Sequence, residues 1–81
     1  MRVEITLPEL GADPVVFSLW FVDPGDAIYE GDRVAEVLCN GATFDVAAPA
    51  TGRFTEKRAL PDDPLVPGQV LGVLETEETE R

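Results

Sequence analysis

Hydrophobic and polar residues alternate in the first segment of the chain, from Arg2 to Leu7, which is typical of a half-buried β-strand. A longer apolar run follows from Val15 to Val22, and strict alternation within it would place Phe17, Leu19 and Phe21 on one face. Further short apolar runs, separated by turn residues, lie at residues 27–29, 34–38, 43–48, 53–60, 65–66 and 70–74. Short runs with breakers between them predict an all-β domain.

The sharpest local signal is the dipeptide Asn40-Gly41, which separates the apolar runs 34–38 and 43–48. A type I′ turn needs a positive φ at both central residues, and Asn and Gly adopt that conformation most readily. We therefore expect a tight β-hairpin with Asn40 and Gly41 at its tip and with Cys39 and Ala42 closing it.

The two halves of the chain resemble each other after a shift of 37 positions, which takes residues 24–38 to residues 61–75. The shift aligns turn residues with turn residues and core candidates with core candidates, in the pairs Pro24–Pro61, Asp26–Asp63, Ile28–Leu65, Gly31–Gly68, Val34–Leu71 and Val37–Leu74. Such a repeat predicts two quasi-symmetric halves. Each half would supply a long strand, a short crossover strand and a closing strand.

Length and charge limit what the domain can do. A chain of 81 residues makes one domain, which buries about 60% of its unfolded surface. With a net charge of −10 and no histidine, it cannot neutralise a series of phosphates, so we expect no nucleic-acid partner and no membrane partner. No apolar run approaches the ~18 residues of a membrane span, and the first residues do not read as a signal peptide. These observations favour a cytoplasmic protein.

Candidate chemistry is sparse. The single cysteine, Cys39, excludes an internal disulfide. We interpret it as a small, partly buried residue rather than a reactive centre, because no cationic residue lies near it in the sequence to stabilise a thiolate. Acids fall mainly in turns such as Gly25-Asp26 and Gly31-Asp32, with a spacing that does not match a calcium loop. We expect no metal site and no catalytic residue, and therefore not an enzyme.

The hairpin and its flanking turns resemble those of the lipoyl and biotinyl attachment domains. Members of that family carry a hairpin that reads roughly A-E-I-E-T-D-K-A-T-M-E-V-E-S-P, and the matching residues here are Ala35, Glu36, Val37, Ala42, Thr43, Phe44, Asp45, Val46 and Pro49. The two Gly-Asp turns, Trp20 ahead of them and the turn from Pro49 to Gly52 also follow the family order. The resemblance covers Val3 to Glu75.

The resemblance implies a fold and a domain boundary. The family fold is a flattened barrel, or barrel-sandwich hybrid, of two four-stranded sheets with pseudo-two-fold symmetry. The hairpin lies at one end of this barrel, and the termini lie together at the other. Residues 1–75 would form the domain, and residues 76–81 would be a disordered acidic tail.

The resemblance also identifies the position that carries the family's chemistry. Family members attach lipoate or biotin to a lysine at the hairpin tip, and this lysine aligns with Gly41, while the aspartate before it aligns with Asn40. We therefore expect neither cofactor, and a non-catalytic module that binds a protein partner in a larger complex. The alternative is a swinging-arm carrier domain of an acyltransferase or carboxylase system, with an attachment site that the sequence does not identify.

Overall fold

The chain folds into short β-strands in a computed structural model that describes residues 1–11 and 14–76. The strands are β1 (Arg2–Thr6), β2 (Val15–Trp20), β3 (Ala27–Ile28), β4 (Arg33–Cys39), β5 (Ala42–Ala47), β6 (Gly52–Lys57), β7 (Pro64–Leu65) and β8 (Val70–Glu75). The described residues contain no helix, and so none that could cross a membrane. The predicted all-β class is confirmed, and the strand ends lie within about three residues of the predicted runs.

The strands form two antiparallel sheets of four. We call the sheet with the order β1-β8-β6-β3 the terminal sheet, because it contains the first and the last strand. The other sheet, with the order β5-β4-β2-β7, contains the β4–β5 hairpin and is called the hairpin sheet. The side chains between the sheets form one core, which includes the fully buried Phe17, Val37, Phe54 and Leu74. This is the flattened barrel-sandwich that the sequence predicted.

A shift of 37 positions relates the two sheets, as the sequence repeat predicted. It takes β2, β3 and β4 to β6, β7 and β8. The pairings follow the shift, since Phe17 pairs with Val37 in the hairpin sheet and Phe54 pairs with Leu74 in the terminal sheet. The shift does not relate the edge strands β5 and β1, but they occupy the same place in the two strand orders, and Thr43 pairs with Leu38 as Arg2 pairs with Glu75. Each position in one sheet therefore has a quasi-equivalent position in the other.

Four equivalent turns are closed by a side chain. In each turn the fourth residue accepts a hydrogen bond of 2.9 Å from the backbone N–H of the first, namely Asp26 from Asp23, Asp32 from Tyr29, Asp63 from Leu60 and Gln69 from Val66. The Gly-Asp dipeptides therefore have a structural role. Their glycines adopt the positive φ of the turn, 101° at Gly25 and 93° at Gly31, and their aspartates supply the acceptor.

Backbone hydrogen bonds interlock the two halves. The N–H of Gly25 donates to the carbonyl oxygen of Phe54 at 2.8 Å, and the N–H of Phe54 donates to the carbonyl oxygen of Asp26 at 2.8 Å. The equivalent turn at residues 60–63 makes the same two bonds, of 2.8 and 2.9 Å, with Phe17 of β2. Each half thus satisfies backbone groups of the other, and neither half could satisfy them alone.

A β-bulge in β2 corrects one prediction. Phe17 and Leu19 pair with consecutive residues of β4, so Ser18 is an extra residue in β2. A bulge interrupts the alternation of side chains, and Phe17, Leu19 and Phe21 do not share a face. Phe17 is fully buried, whereas Leu19 and Phe21 are 39% and 42% exposed. The prediction was wrong because it assumed strict alternation through the strand.

The bulge directs the side chain of Trp20 toward the interior. Its ring centroid lies 5.1 Å from that of Phe17 and 5.0 Å from that of Phe54. The indole Nε1–H donates a hydrogen bond of 2.8 Å to the carbonyl oxygen of Ala59. Trp20 is partly buried and packs against the core, and it links β2 of the hairpin sheet to β6 of the terminal sheet.

The hairpin and the termini lie at opposite ends of the fold. The strand β2 starts opposite Cys39 at the hairpin, and the chain then passes to β3, which pairs with the start of β6 beside the termini. There the N–H of Thr76 donates to the carbonyl oxygen of Met1 at 2.7 Å, and the amino group of Met1 donates to that of Thr76 at 2.9 Å. The tail predicted at residues 76–81 lies outside the described residues beyond Thr76, so its disorder stays a prediction.

Charged side chains cover the outer face of the terminal sheet. The Nε–H of Arg58 donates a hydrogen bond of 2.8 Å to Oε2 of Glu56, and Nη2 of Arg2 lies 3.9 Å from Oε1 of the same carboxylate. The hydrogen bond from Arg58, with the positive charges of Arg58 and Arg2, holds the pKa of the Glu56 carboxyl below its usual value. Because Glu56 is exposed, these pairs add little to stability.

The packing of Trp20 predicts a cost of adding a methyl group at Gly72. A Cβ on Gly72 would lie 2.8 Å from Cη2 of Trp20, 2.9 Å from the carbonyl oxygen of Glu56 and 3.0 Å from Cε1 of Phe54. We expect Gly72→Ala to lower the free energy of unfolding by about 1–3 kcal/mol, the usual effect of overpacking. Urea unfolding followed by tryptophan fluorescence measures it, and a loss below about 0.5 kcal/mol would contradict the packing.

We expect Arg58→Gln to raise the pKa of Glu56 toward its usual value, because the main hydrogen-bond donor to the carboxylate is removed. The folded pKa lies below the unfolded one in the wild type. The pair therefore contributes stability above the unfolded pKa and loses it as the pH falls through the folded pKa. An NMR titration of Glu56 measures the pKa. Arg53→Gln is the control, since Arg53 donates to Gly25 instead, and an unchanged pKa in Arg58→Gln would contradict the assignment.

Candidate functional site

The β4–β5 hairpin ends in a two-residue turn. Cys39 pairs with Ala42, which leaves Asn40 and Gly41 as the connecting residues. Their φ angles are 52° and 78°, both in the left-handed region, as a type I′ turn requires. Asn and Gly adopt this region more readily than other residues do, so the local sequence selects the turn. The structure thus brings together all four residues that the sequence placed at the tip.

The tip is exposed and unobstructed. Asn40, Gly41 and Ala42 are all exposed, and a Cβ added to Gly41 would meet no atom within 4 Å. A longer side chain at position 41 would therefore extend into open space. The tip itself offers an amide and a methyl group, neither of which is a nucleophile or a general acid.

Cys39 lies next to the tip but belongs to the core. Its side chain is 2% exposed and packs in the cluster between the sheets, and the thiol is free. Reactive cysteines are partly exposed and lie in electropositive surroundings. The burial of Cys39 therefore supports its interpretation as a small packing residue and does not support a reactive thiol.

The side-chain amine of Lys57 and the N-terminal amine of Met1 lie away from the hairpin tip. Lys57, the single lysine of the chain, lies in β6 of the terminal sheet, and its Nζ is 2.9 Å from Oδ1 of Asp23. Its side chain is 31% exposed. The amino group of Met1 pairs with Glu75 at 3.1 Å, at the end of the fold opposite the hairpin. In the strand pairing, neither Lys57 nor the N-terminus lies beside the turn at residues 40 and 41.

Polar side chains beside the hairpin pair with one another on the outer face of the sheet. The hydroxyl of Ser18 donates a hydrogen bond of 3.0 Å to Oε2 of Glu36, and Nη1 of Arg33 lies 3.5 Å from Oδ2 of Asp45. The guanidinium of Arg33 also lies 4.8 Å from the ring centre of Phe21. Among the described residues, no group of three or more His, Cys, Asp or Glu side chains could hold a metal ion.

The structure adds three exposed residues that the sequence did not identify as part of a site. Leu19, Phe21 and Leu38 are 39–42% exposed and lie on the outer face of the hairpin sheet. The sequence shows that they are apolar but not that they remain uncovered, and the directions of Leu19 and Phe21 depend on the bulge in β2. They make the surroundings of the hairpin a surface suited to contact with another molecule.

Comparisons with known proteins find the same family and fold. A sequence model of the biotin–lipoyl family, described as "Biotin-requiring enzyme", matches residues 3–74. Two lipoamide acyltransferase components of branched-chain alpha-keto acid dehydrogenase complexes are similar in sequence. The protein from Bacillus subtilis (strain 168) is 32% identical over 76 residues, and that from Pseudomonas putida is 31% identical over 75 residues. These stretches cover 91% and 90% of this chain but 18% of each relative.

The fold is also similar to a solved lipoyl domain. The solution structure of the lipoyl domain of the 2-oxoglutarate dehydrogenase complex from Azotobacter vinelandii superimposes with a TM-score of 0.71. The match covers 93% of this chain and 99% of that domain, at 20% sequence identity. At this identity the likeness concerns the fold alone.

The turn geometry predicts different effects for two substitutions of Asn40. We expect Asn40→Ala to lower the free energy of unfolding by about 1 kcal/mol, because alanine is less stable than asparagine at a left-handed φ. Asn40→Gly is the matched control and should change stability by only a few tenths of a kcal/mol, roughly, since glycine tolerates the same φ. Urea unfolding measures both. Equal stability of the two variants would contradict the type I′ turn.

Proposed function

This chain belongs to the biotin–lipoyl attachment family, and we propose that it is a member without a covalently attached cofactor. In this proposal it is not an enzyme but a non-catalytic module that docks to a protein partner in a larger complex. The observation that carries the proposal is the exposed Asn40-Gly41 turn, at the position where the family's acceptor lysine is expected.

A lysine-linked lipoyl or biotinyl group does not fit the residues of the tip. Both cofactors are joined to proteins as amides, so their attachment needs a primary amine. Asn40 and Gly41 supply none, although a side chain at position 41 would meet open space. Lys57 is ion-paired with Asp23 on the terminal sheet and is not presented on a turn. We therefore assign no group-transfer step to this domain.

The similarity to dehydrogenase-complex components supports a protein partner. The relatives are named as components of multienzyme complexes, and the chain spans less than a fifth of their length. In this proposal the module contributes its surface to such an assembly in the cytoplasm. The net charge of −10 favours a basic protein surface over nucleic acid or an anionic membrane.

A second candidate is a carrier domain with an attachment site that is not the hairpin tip. The observation in its favour is the 31–32% identity to lipoamide acyltransferase components. Lys57 would be the acceptor, and its ion pair with Asp23 would have to open. This candidate and the first differ in whether a covalent adduct can be found on the polypeptide.

Expression with competent ligases separates the two candidates. The protein is produced with a lipoyl ligase and lipoate, or with a biotin ligase and biotin, and its intact mass is measured. We expect the wild type to show the mass of the polypeptide alone. An adduct on the wild type that disappears in Lys57→Arg would establish the carrier and contradict our proposal.

The Gly41→Lys variant tests whether a primary amine is all that the hairpin tip lacks for cofactor attachment. A lysine at positive φ costs roughly 1 kcal/mol, and position 41 is unobstructed, so we expect this variant to fold and to gain an adduct that peptide mapping assigns to residue 41. The lipoyl domain of the 2-oxoglutarate dehydrogenase complex from Azotobacter vinelandii serves as the ligase control. Failure of Gly41→Lys to fold would contradict the description of the tip.

A further inference from the structure

The outer faces of the two quasi-equivalent sheets differ in character. The shift of 37 positions takes the apolar residues Val16, Leu19, Phe21 and Leu38 to Arg53, Glu56, Arg58 and Glu75. Each of the four apolar side chains on the hairpin sheet thus has a charged counterpart on the terminal sheet. We call Val16, Leu19, Phe21 and Leu38 the apolar face.

The strand registers show that these positions are structural equivalents. Val16 pairs with Leu38, as Arg53 pairs with Glu75. The equivalence continues beyond the bulge. Leu19 pairs with Glu36, and its counterpart Glu56 pairs with Val73, which is the counterpart of Glu36. The backbone N–H of Phe21 donates to Val34, and that of Arg58 donates to Leu71, the residue equivalent to Val34. The comparison therefore holds at the level of single hydrogen bonds.

The apolar face is open, and the hydrogen-bonded pair Ser18–Glu36 lies between its residues. Leu38 is 41% exposed, although its neighbours Val37 and Cys39 are buried, and Val16 is partly buried beside it. Leu19 lies on the same face because it pairs with Glu36, two residues from Leu38. Phe21 extends the face toward Arg33, whose guanidinium lies over its ring.

The fold itself does not require apolar residues at these positions. At the equivalent positions of the terminal sheet, Arg58 and Glu56 form a hydrogen bond of 2.8 Å, and Arg53 donates to a backbone carbonyl at 2.9 Å. The same backbone thus tolerates charge at each site. Single exposed apolar residues are ordinary on protein surfaces, but a set that is apolar on one sheet and fully charged on its equivalent indicates a contact surface.

We propose that the apolar face is the docking surface of this module, and that its occupant is a protein surface with an apolar centre and a rim of lysine and arginine residues. Acids lie in and around the face, with Glu36 opposite Leu19, Asp45 opposite Glu36, and Asp62 and Asp63 in the turn that is hydrogen-bonded to Phe17 of β2. Among the described residues, Arg33 is the cation beside it, and it is paired with Asp45.

A second copy of this chain is a poor occupant, because two chains of net charge −10 repel each other. The inference deepens the proposed function and rests on it, since it names the surface through which the module would dock. The two can fail separately. An adduct found by mass would contradict the absence of a cofactor and leave the docking surface untouched.

The experiment uses the internal symmetry to make matched variants. Val16→Arg/Leu38→Glu transplants the Arg53–Glu75 pair to the hairpin sheet, and Leu19→Glu/Phe21→Arg transplants the Glu56–Arg58 pair. Both double variants keep the net charge of the wild type and are expected to fold. Arg53→Gln/Glu75→Gln is the control on the terminal sheet. Its net charge is also unchanged.

The partner is identified by photo-crosslinking and then tested pure. A photoreactive residue is placed at Thr43, which pairs with Leu38, or at the equivalent Arg2, which pairs with Glu75. Each labelled protein is irradiated in an extract of the native host. The protein enriched at Thr43 over Arg2 is then produced recombinantly, and its affinity for the wild type and the variants is measured at several salt concentrations.

We expect each transplant to weaken binding by about ten-fold or more, and the control to change it by less than about two-fold. Binding should also weaken as salt rises, because the rim contacts are between opposite charges. Equal crosslinking from Thr43 and Arg2, wild-type affinity in both transplants, or salt-independent binding would overturn the proposal. Crosslinks to a second copy, with a dimer in sedimentation, would also overturn it.

Discussion

Reciprocal hydrogen bonding between the two halves is the constraint on which the rest of the structure depends. The turn of each half donates to and accepts from the long strand of the other, at Phe54 and at Phe17. These strands also carry the two fully buried aromatic rings that pack against Trp20. A chain this short buries only a small core. The reciprocal bonds connect its two sheets into one unit. The hairpin and the termini are the two ends that this arrangement leaves free.

Much of the fold could be predicted because its turns are specified locally. Asn40-Gly41 specifies a tight turn through its backbone preferences, and the Gly-Asp pairs combine a positive φ with an acceptor side chain. Asp62 shows how far this extends, since it adopts a φ of 75° at the position equivalent to Gly25. The bulge at Ser18 could not be predicted in this way. It depends on how β2 aligns with β4, and no residue near Ser18 signals that alignment.

The candidate site likewise has features that could be predicted from the sequence and one that could not. The turn at residues 40 and 41 could be predicted, and so could the absence of an amine there, because both follow from residue identity. The apolar face could not, since the sequence does not say which of its many apolar residues remain uncovered. The strand pairing shows that Leu38 and Val16 lie together on the outer face, at the positions equivalent to Glu75 and Arg53.

The protein combines a family scaffold with a hairpin tip that has no acceptor lysine. The scaffold is that of a lipoyl domain, and a cofactor at the tip would need an amine that Asn40 and Gly41 lack. The most direct test is the intact mass of the protein isolated from its native host. We predict the mass of the unmodified polypeptide. A lipoyl or biotinyl group on any residue would contradict it.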